Sequence, residues 1–168
     1  MSTATASEPS FLHELPALSA LPVEHLADFS VDLEPAQVLT TPLGTRMTFV
    51  VKRGRVSGPR LRGEILPGGG DWVVVGSDAI GRLDVRATLR TDDGALIHTT
   101  VGGVAQLPAD GMRRLAAGDR LPWGETYVRT TPRFETGDER YAWLNEVVSV
   151  AYNELSKDHI DYRIYRVR

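Results

Sequence analysis

Gly81-Arg82-Leu83-Asp84-Val85-Arg86-Ala87-Thr88-Leu89-Arg90, then Thr91-Asp92-Asp93-Gly94, then Ala95-Leu96-Ile97-His98-Thr99-Thr100-Val101 is the stretch that decides the fold class. From Leu83 to Arg90 apolar and polar residues alternate strictly, the period of a strand with two unlike faces. Asp-Gly supplies the positive φ that a tight hairpin needs. The stretch therefore predicts two antiparallel strands joined by a short turn. Asp84, Arg86 and Arg90 share one face.

Working outward, the same rhythm recurs. His25–Leu33 alternates imperfectly, and Thr45–Val51 follows a Pro-Leu-Gly turn. In Arg60-Leu61-Arg62-Gly63-Glu64-Ile65-Leu66 the residues Leu61, Gly63 and Ile65 face one way and Arg60, Arg62 and Glu64 the other. Pro67-Gly68-Gly69-Gly70 reads as a loop and Asp71–Val75 as a strand. Tyr127–Thr131, Asn145–Tyr152 and Asp161–Val167 complete the set. Two short helical turns are expected, at Met112–Ala116 and after the capping box Thr136-Gly137-Asp138-Glu139. Roughly eight to ten short strands with turn signals between them predict an antiparallel sandwich or barrel. A parallel α/β fold is excluded, because each crossover needs a dozen or more residues.

The chain of 168 residues is one domain's worth, long enough to bury roughly 70% of its unfolded surface without a staple. Two parts are expected: an irregular arm over 1–22, broken by Pro16 and Pro22, and a β domain over 23–168. Leu12, Leu15, Leu18 and Leu21 suggest that the arm packs on its own domain or on a second copy, as in a homodimer. With no cysteine, disulfides, thiolate metal sites and cysteine nucleophiles are excluded. A net charge of −3 argues against nucleic acid and anionic membranes as partners. No apolar run reaches the ~18–20 residues of a membrane span, and the N-terminus lacks the basic and apolar regions of a secretory signal. A cytoplasmic protein is expected.

Standard catalytic signatures are missing: no Gly-x-Ser-x-Gly, His-Glu-x-x-His, P-loop or Gly-x-Gly-x-x-Gly. Histidines 13, 25, 98 and 159 have no metal-ligand spacing, so neither a metal nor a cofactor is expected. The charges that alternate with the apolar residues are the informative feature. In a sandwich they meet water. In a closed barrel of eight strands they could instead line an interior large enough for one small ligand. Desolvated in that way, Asp84 would pair with Arg86 or Arg129, and Glu64 with Arg60, an arrangement better suited to binding a polar ligand than to stabilising a fold. Periodicity leaves both orientations open. His98 is the one histidine placed for proton transfer.

Gly58-Pro59-Arg60-Leu61-Arg62-Gly63-Glu64-Ile65-Leu66-Pro67-Gly68-Gly69-Gly70-Asp71-Trp72, Leu83-Asp84-Val85-Arg86, the 91–97 turn, Arg129-Thr130-Thr131-Pro132-Arg133-Phe134-Glu135-Thr136-Gly137-Asp138 and Tyr141-Ala142-Trp143-Leu144-Asn145 together resemble the DUF3237 family, also called UPF0311, over about residues 26 to 168. The resemblance implies an all-β fold: a single antiparallel, up-and-down type β-barrel of about eight strands, similar to allene oxide cyclase-like barrels. It carries onto this chain Arg60, Glu64, Asp71, Trp72, Asp84, Arg86, Arg129, Thr131, Phe134, Glu135, Trp143 and Asn145. Thr88 and His98 depart from the family, which often has an aromatic residue and a tyrosine there.

Two functions follow as expectations. One is a cofactor-independent enzyme of the isomerase, cyclase or hydratase/lyase type. It would act inside the barrel on a small carbonyl- or carboxylate-bearing molecule. Asp84 or Glu64 would serve as general acid or base and Arg129 would stabilise an oxyanion. Arg60, Asp71, Trp72, Arg86, His98, Thr131, Trp143 and Asn145 would bind the substrate. The other is a non-catalytic small-molecule binding barrel that uses the same residues.

Overall fold

The computed structural model describes residues 17–168. Among the described residues there are ten strands: β1 Val23–Leu33, β2 Gln37–Thr41, β3 Gly44–Ser57, β4 Gly63–Ile65, β5 Gly70–Val75, β6 Gly81–Thr91, β7 Leu96–Gln106, β8 Tyr127–Glu135, β9 Ser149–Ser156 and β10 His159–Val167. All pair antiparallel, in the order β1-β10-β9-β8-β7-β6-β4-β3, and β3 returns to β1. The sheet is thus a closed barrel. Its wall has eight positions, because β4 and β5 share the one between β3 and β6. β2 pairs with β3 alone and extends the wall beyond β1. The expected arm over 1–22 falls mostly on residues outside those described; residues 17–22 lead into β1 and are exposed.

Alternation decides what enters the barrel. Val85, Ala87 and Leu89 of β6 are buried, as are Ile97, Thr99 and Val101 of β7, and Val128, Thr130, Pro132 and Phe134 of β8. The β6–β7 turn forms where Asp-Gly predicts it: Gly94 takes φ 90 and donates its N–H to the Thr91 carbonyl at 2.9 Å. The first helical turn is α1, Gly111–Ala117. The second is a 3₁₀ segment, Glu139–Glu146, and its cap differs from the one expected. Asp138, not Thr136, caps it by accepting from the Arg140 N–H at 3.0 Å, while Thr136 instead ties the segment to β7 through the Leu96 carbonyl at 2.7 Å.

The two ends of the barrel differ. At one end Leu61 from the β3–β4 loop and Leu144 from the 3₁₀ segment join Val56, Ile65, Leu89, Ile97, Phe134 and Ile164 in a continuous apolar plug. Toward the other end residues of the inward face, Leu33, Phe49, Leu83, Gly103, Ile160 and Tyr162, keep partial exposure. The barrel is therefore a cup, sealed below and open above.

Gly63 sits where β3, β4 and β6 come closest. A Cβ there would lie 2.2 Å from the Arg90 carbonyl oxygen and 2.7 Å from the Thr91 Cα. Backbone cannot yield as a flexible side chain does, so Gly63→Ala is expected to cost about 1–3 kcal/mol in urea unfolding. An unchanged midpoint would show that the closed end is looser than described.

Candidate functional site

The charged faces singled out by periodicity lie outside the barrel. Asp84 and Arg86 pair with each other at 3.2 Å and are 55% and 56% exposed. Glu64 pairs with Arg90, not with Arg60. Arg60 instead stacks on Trp143, 4.0 Å from the ring centre, at the sealed end. Arg129 lies over the Tyr127 and Trp123 rings and donates to the adjacent Val128 carbonyl at 2.8 Å. Trp72 and His98 are exposed, and Thr131 donates to the Gly102 carbonyl at 3.3 Å. Asn145 accepts from the Thr136 N–H and donates to the Thr136 carbonyl, which ties the end of the 3₁₀ segment back to the residue after β8. The inward orientation of these side chains is therefore corrected. The apolar alternates Val85, Ala87 and Leu89 fill the lumen, and the ion pairs stay half-solvated, where pairing costs and contributes little.

Of the residues expected to bind substrate, Asp71 alone reaches the lumen. Its cross-strand partners are Phe49 and Val85, and directly opposed residues share a face, so buried Val85 fixes the direction of Asp71. The neighbouring Gly69 and Gly70 have no side chains to hold β5 away from β3 and β6. Asp71 Oδ1 accepts from the Asp84 N–H at 3.0 Å. Burial pushes the Asp71 carboxyl up to about 6; the Asp84 N–H opposes the shift and the negative charge of Asp84 adds to it.

Two further polar groups, Tyr162 and Asn153, stand on the inward face. Tyr162 is the partner of Phe29 on β1 and of Asn153 on β9. Burial raises its phenol well above the usual range, and the charge of Asp71 raises it further, so it stays protonated. Asn153 is fully buried, 0% exposed. Its Oδ1 accepts from the Thr130 hydroxyl at 3.4 Å, while Nδ2 has no partner among the described residues. β5 and β9 stand on opposite walls, since the circuit runs β5-β3-β1-β10-β9 one way and β5-β6-β7-β8-β9 the other. Among the described residues no arginine, lysine or histidine is buried. The inward face thus carries one titratable acid, one protonated phenol and one buried amide, with Thr99 and Thr130 among otherwise mostly apolar residues. Tyr162 and Asn153 escape sequence reading because neither stands in a motif. Their one signal is strand phase: Ser149, Ala151 and Asn153 form one alternate set, Tyr162 and Ile164 another.

Two outer features compete for attention. Ser30, His159 and Asp32 line up, with the Ser30 Oγ 3.3 Å from His159 Nε2 and Asp32 Oδ1 2.7 Å from Nδ1. Asp161 also holds Nε2, at 3.1 Å. Burial lowers the imidazole pKa, but the two carboxylates more than offset it and favour the protonated ring, which is no base for the serine. An open groove of about 380 Å³ lies over Arg55, Glu64, Arg90 and Asp92. Two arginines and two carboxylates line it beside Gly63 and Gly94, with Glu64 paired to Arg90. Among the described residues no acidic or histidine cluster suits a metal.

Comparison with known proteins agrees with the barrel. A family model described as "Protein of unknown function (DUF3237)" matches residues 21–167. A UPF0311 protein of Bradyrhizobium diazoefficiens is 29% identical over 142 residues, covering 83% of this chain and 93% of its own. A crystal structure described as a beta-barrel like protein from Acinetobacter baumannii superposes with a TM-score of 0.75 at 32% identity, covering 90% of this chain and 99% of that one. One described as an enzyme from Penicillium herquei gives a TM-score of 0.66 at 20% identity, covering 92% and 100%.

Proposed function

The chain belongs to the DUF3237 family of proteins of unknown function, and from the polar groups of its lumen we propose that it is an enzyme that moves a proton on a small organic carbonyl compound. The observation that carries this reading is Asp71, a carboxyl inside the cup whose acidity is shifted toward neutral pH. A general acid–base works best with a pKa near the operating pH. As carboxylate, Asp71 would take a proton from the carbon next to a carbonyl. The C–H electron pair moves into a new C=C bond and the carbonyl pair onto oxygen, giving an enol or enolate. Asp71 then returns the proton at the same or a conjugated carbon. Isomerisation, cyclisation and addition or elimination of water all share this step. The Tyr162 phenol, kept protonated, can donate a hydrogen bond to the oxygen as charge develops. The neighbour described as an enzyme supports the fold alone at its identity. Among the described residues no helix is long and apolar enough to cross a membrane. A cytoplasmic setting is part of the proposal.

Exchange of the methyl protons of acetophenone in D₂O, followed by ¹H NMR, tests the reading. The protein is expected to accelerate exchange with a rate that rises through pH 6 and levels off. Asp71→Asn is expected to lower it by about 10²-fold or more. Equal rates for the two proteins would leave the non-catalytic binding barrel as the better account.

A further inference from the structure

We propose that β2 is the docking edge for a second copy of this chain, which adds its own β2 antiparallel across a two-fold axis at Leu39. Among the described residues, β3 takes one edge of β2 and no strand takes the other. The neighbouring wall stops short of that edge. β10 begins at His159, opposite Asp32, and the Leu33 N–H closes that level by donating to the Asp158 carbonyl at 2.9 Å. The chain then passes through Glu34, whose N–H donates to the Val50 carbonyl at 2.8 Å, and continues as Gln37–Thr41 beyond the start of β10. In a strand paired on one side, alternate N–H and C=O groups point away from the partner. Gln37 to Thr40 are exposed, so these groups of β2 are left to water.

Natural sheets blunt an open edge with lysine, proline or a bulge. None of these interrupts Gln37–Thr41, and residues 35–45 carry no charged side chain. The edge is apolar on both faces. Val38 opposes Met47, which opposes buried Val73, so Val38 extends the inward face past the rim, while Leu39 takes the outward face. Val38, Leu39 and the turn residue Leu43 are 60%, 54% and 76% exposed, more than chance apolar residues on a charged surface would place together. A second copy answers each of these features. Centred on Leu39, the antiparallel pair sets Leu39 against the partner's Leu39 on the outward face and Val38 against the partner's Thr40 on the inward face. It brings Leu43 to the level of the partner's Pro35. No like charges meet, which a strand must achieve if it is to pair with itself. The two-fold relation uses both open edges at once, so assembly stops at two chains. A seam of five residues is small beside the ~800 Å² per partner of a standard interface, so the dimer is a weak one.

Sedimentation equilibrium of the full chain from about 5 to about 500 µM tests the proposal. The mean mass is expected to rise from that of one chain toward that of two, and no further. Leu39→Lys places two ammonium groups face to face at the axis and should weaken association at least about tenfold. Cross-linking reads the register. The chain has no cysteine, so an introduced one reports its own neighbours. Directly opposed residues of an antiparallel pair have Cα atoms about 4.5–5.5 Å apart, a separation that a disulfide spans. Under mild oxidation Leu39→Cys is expected to form a linked dimer at least about tenfold faster than Leu96→Cys, a leucine 57% exposed at the sealed end. Both leucines are exposed, so both variants should keep the wild-type Tm. A mass that stays at one chain throughout overturns the proposal, whether the edge is then open, taken by residues 1–16 of the same chain or kept for another protein. A dimer that survives Leu39→Lys overturns it by placing the contact on another surface. Equal cross-linking of the two cysteine variants overturns it as well.

Discussion

Leu144→Ala is expected to lower the unfolding free energy by about 2–5 kcal/mol. Leu144 is 0% exposed. It enters the barrel from a 3₁₀ segment, not from a strand, and packs into the apolar plug with Leu61, Phe134 and Ile164. The segment is held at its start by Asp138 and at its end by the Asn145–Thr136 hydrogen bonds, so it cannot slide inward to refill the space. A cavity that the surroundings cannot collapse incurs the full penalty. For a domain of this size the loss corresponds to a fall in Tm of roughly 5–15 °C. Calorimetry of the variant measures it. A drop of less than a degree or two would mean that the plug is not the base of the cup.

Asp71→Asn is expected to do the opposite above neutral pH. The carboxyl pKa rises from 3.8 in the unfolded chain to about 6 in the fold. Between those values the unfolded chain ionises while the native protein keeps its proton, so stability falls as pH rises. The loss is complete above about pH 6–7 and absent below about pH 4. Asparagine mimics the protonated acid and keeps an oxygen for the Asp84 N–H. The variant should match the wild type near pH 4 and exceed it at pH 8 by about 1–3 kcal/mol, the upper figure being the full two-unit shift. Urea unfolding from pH 4 to 8 reads this directly. A difference that does not change with pH would place the carboxyl in a well-solvated environment.

The antiparallel β architecture was legible because strand period and turn chemistry are local, while the choice of barrel over sandwich came from the family resemblance. Leu83 to Arg90 alternates, Asp93-Gly94 turns, and Leu96 to Val101 returns, each visible without knowledge of the rest. What was not legible is the direction each face takes, since period two is unchanged when a strand is turned over. The abundance of charge at Asp84, Arg86, Arg129 and Glu64 drew attention to the wrong side of the wall. Those residues are numerous because an outer face tolerates them. Asp71 was visible only through the resemblance, as one of many motif residues. Asn153 and Tyr162 are polar groups that stand in no motif, and a buried polar group becomes informative only once its burial is known.

The circuit that makes the cup closes between the first described strand and the last: Val23 of β1 pairs with Val167 of β10. Those partners stand at nearly opposite ends of the chain, so the seam is among the longest-range pairings the fold contains. During synthesis β10 is the last of these ten strands to leave the ribosome. Until then both β1 and β9 present raw hydrogen-bonding edges, the condition that invites association with other nascent chains. Tyr162 arrives with that final strand, so the growing polypeptide acquires its container and the last of its interior polar groups in one event. Late long-range closure of this kind makes folding slow relative to local structure formation.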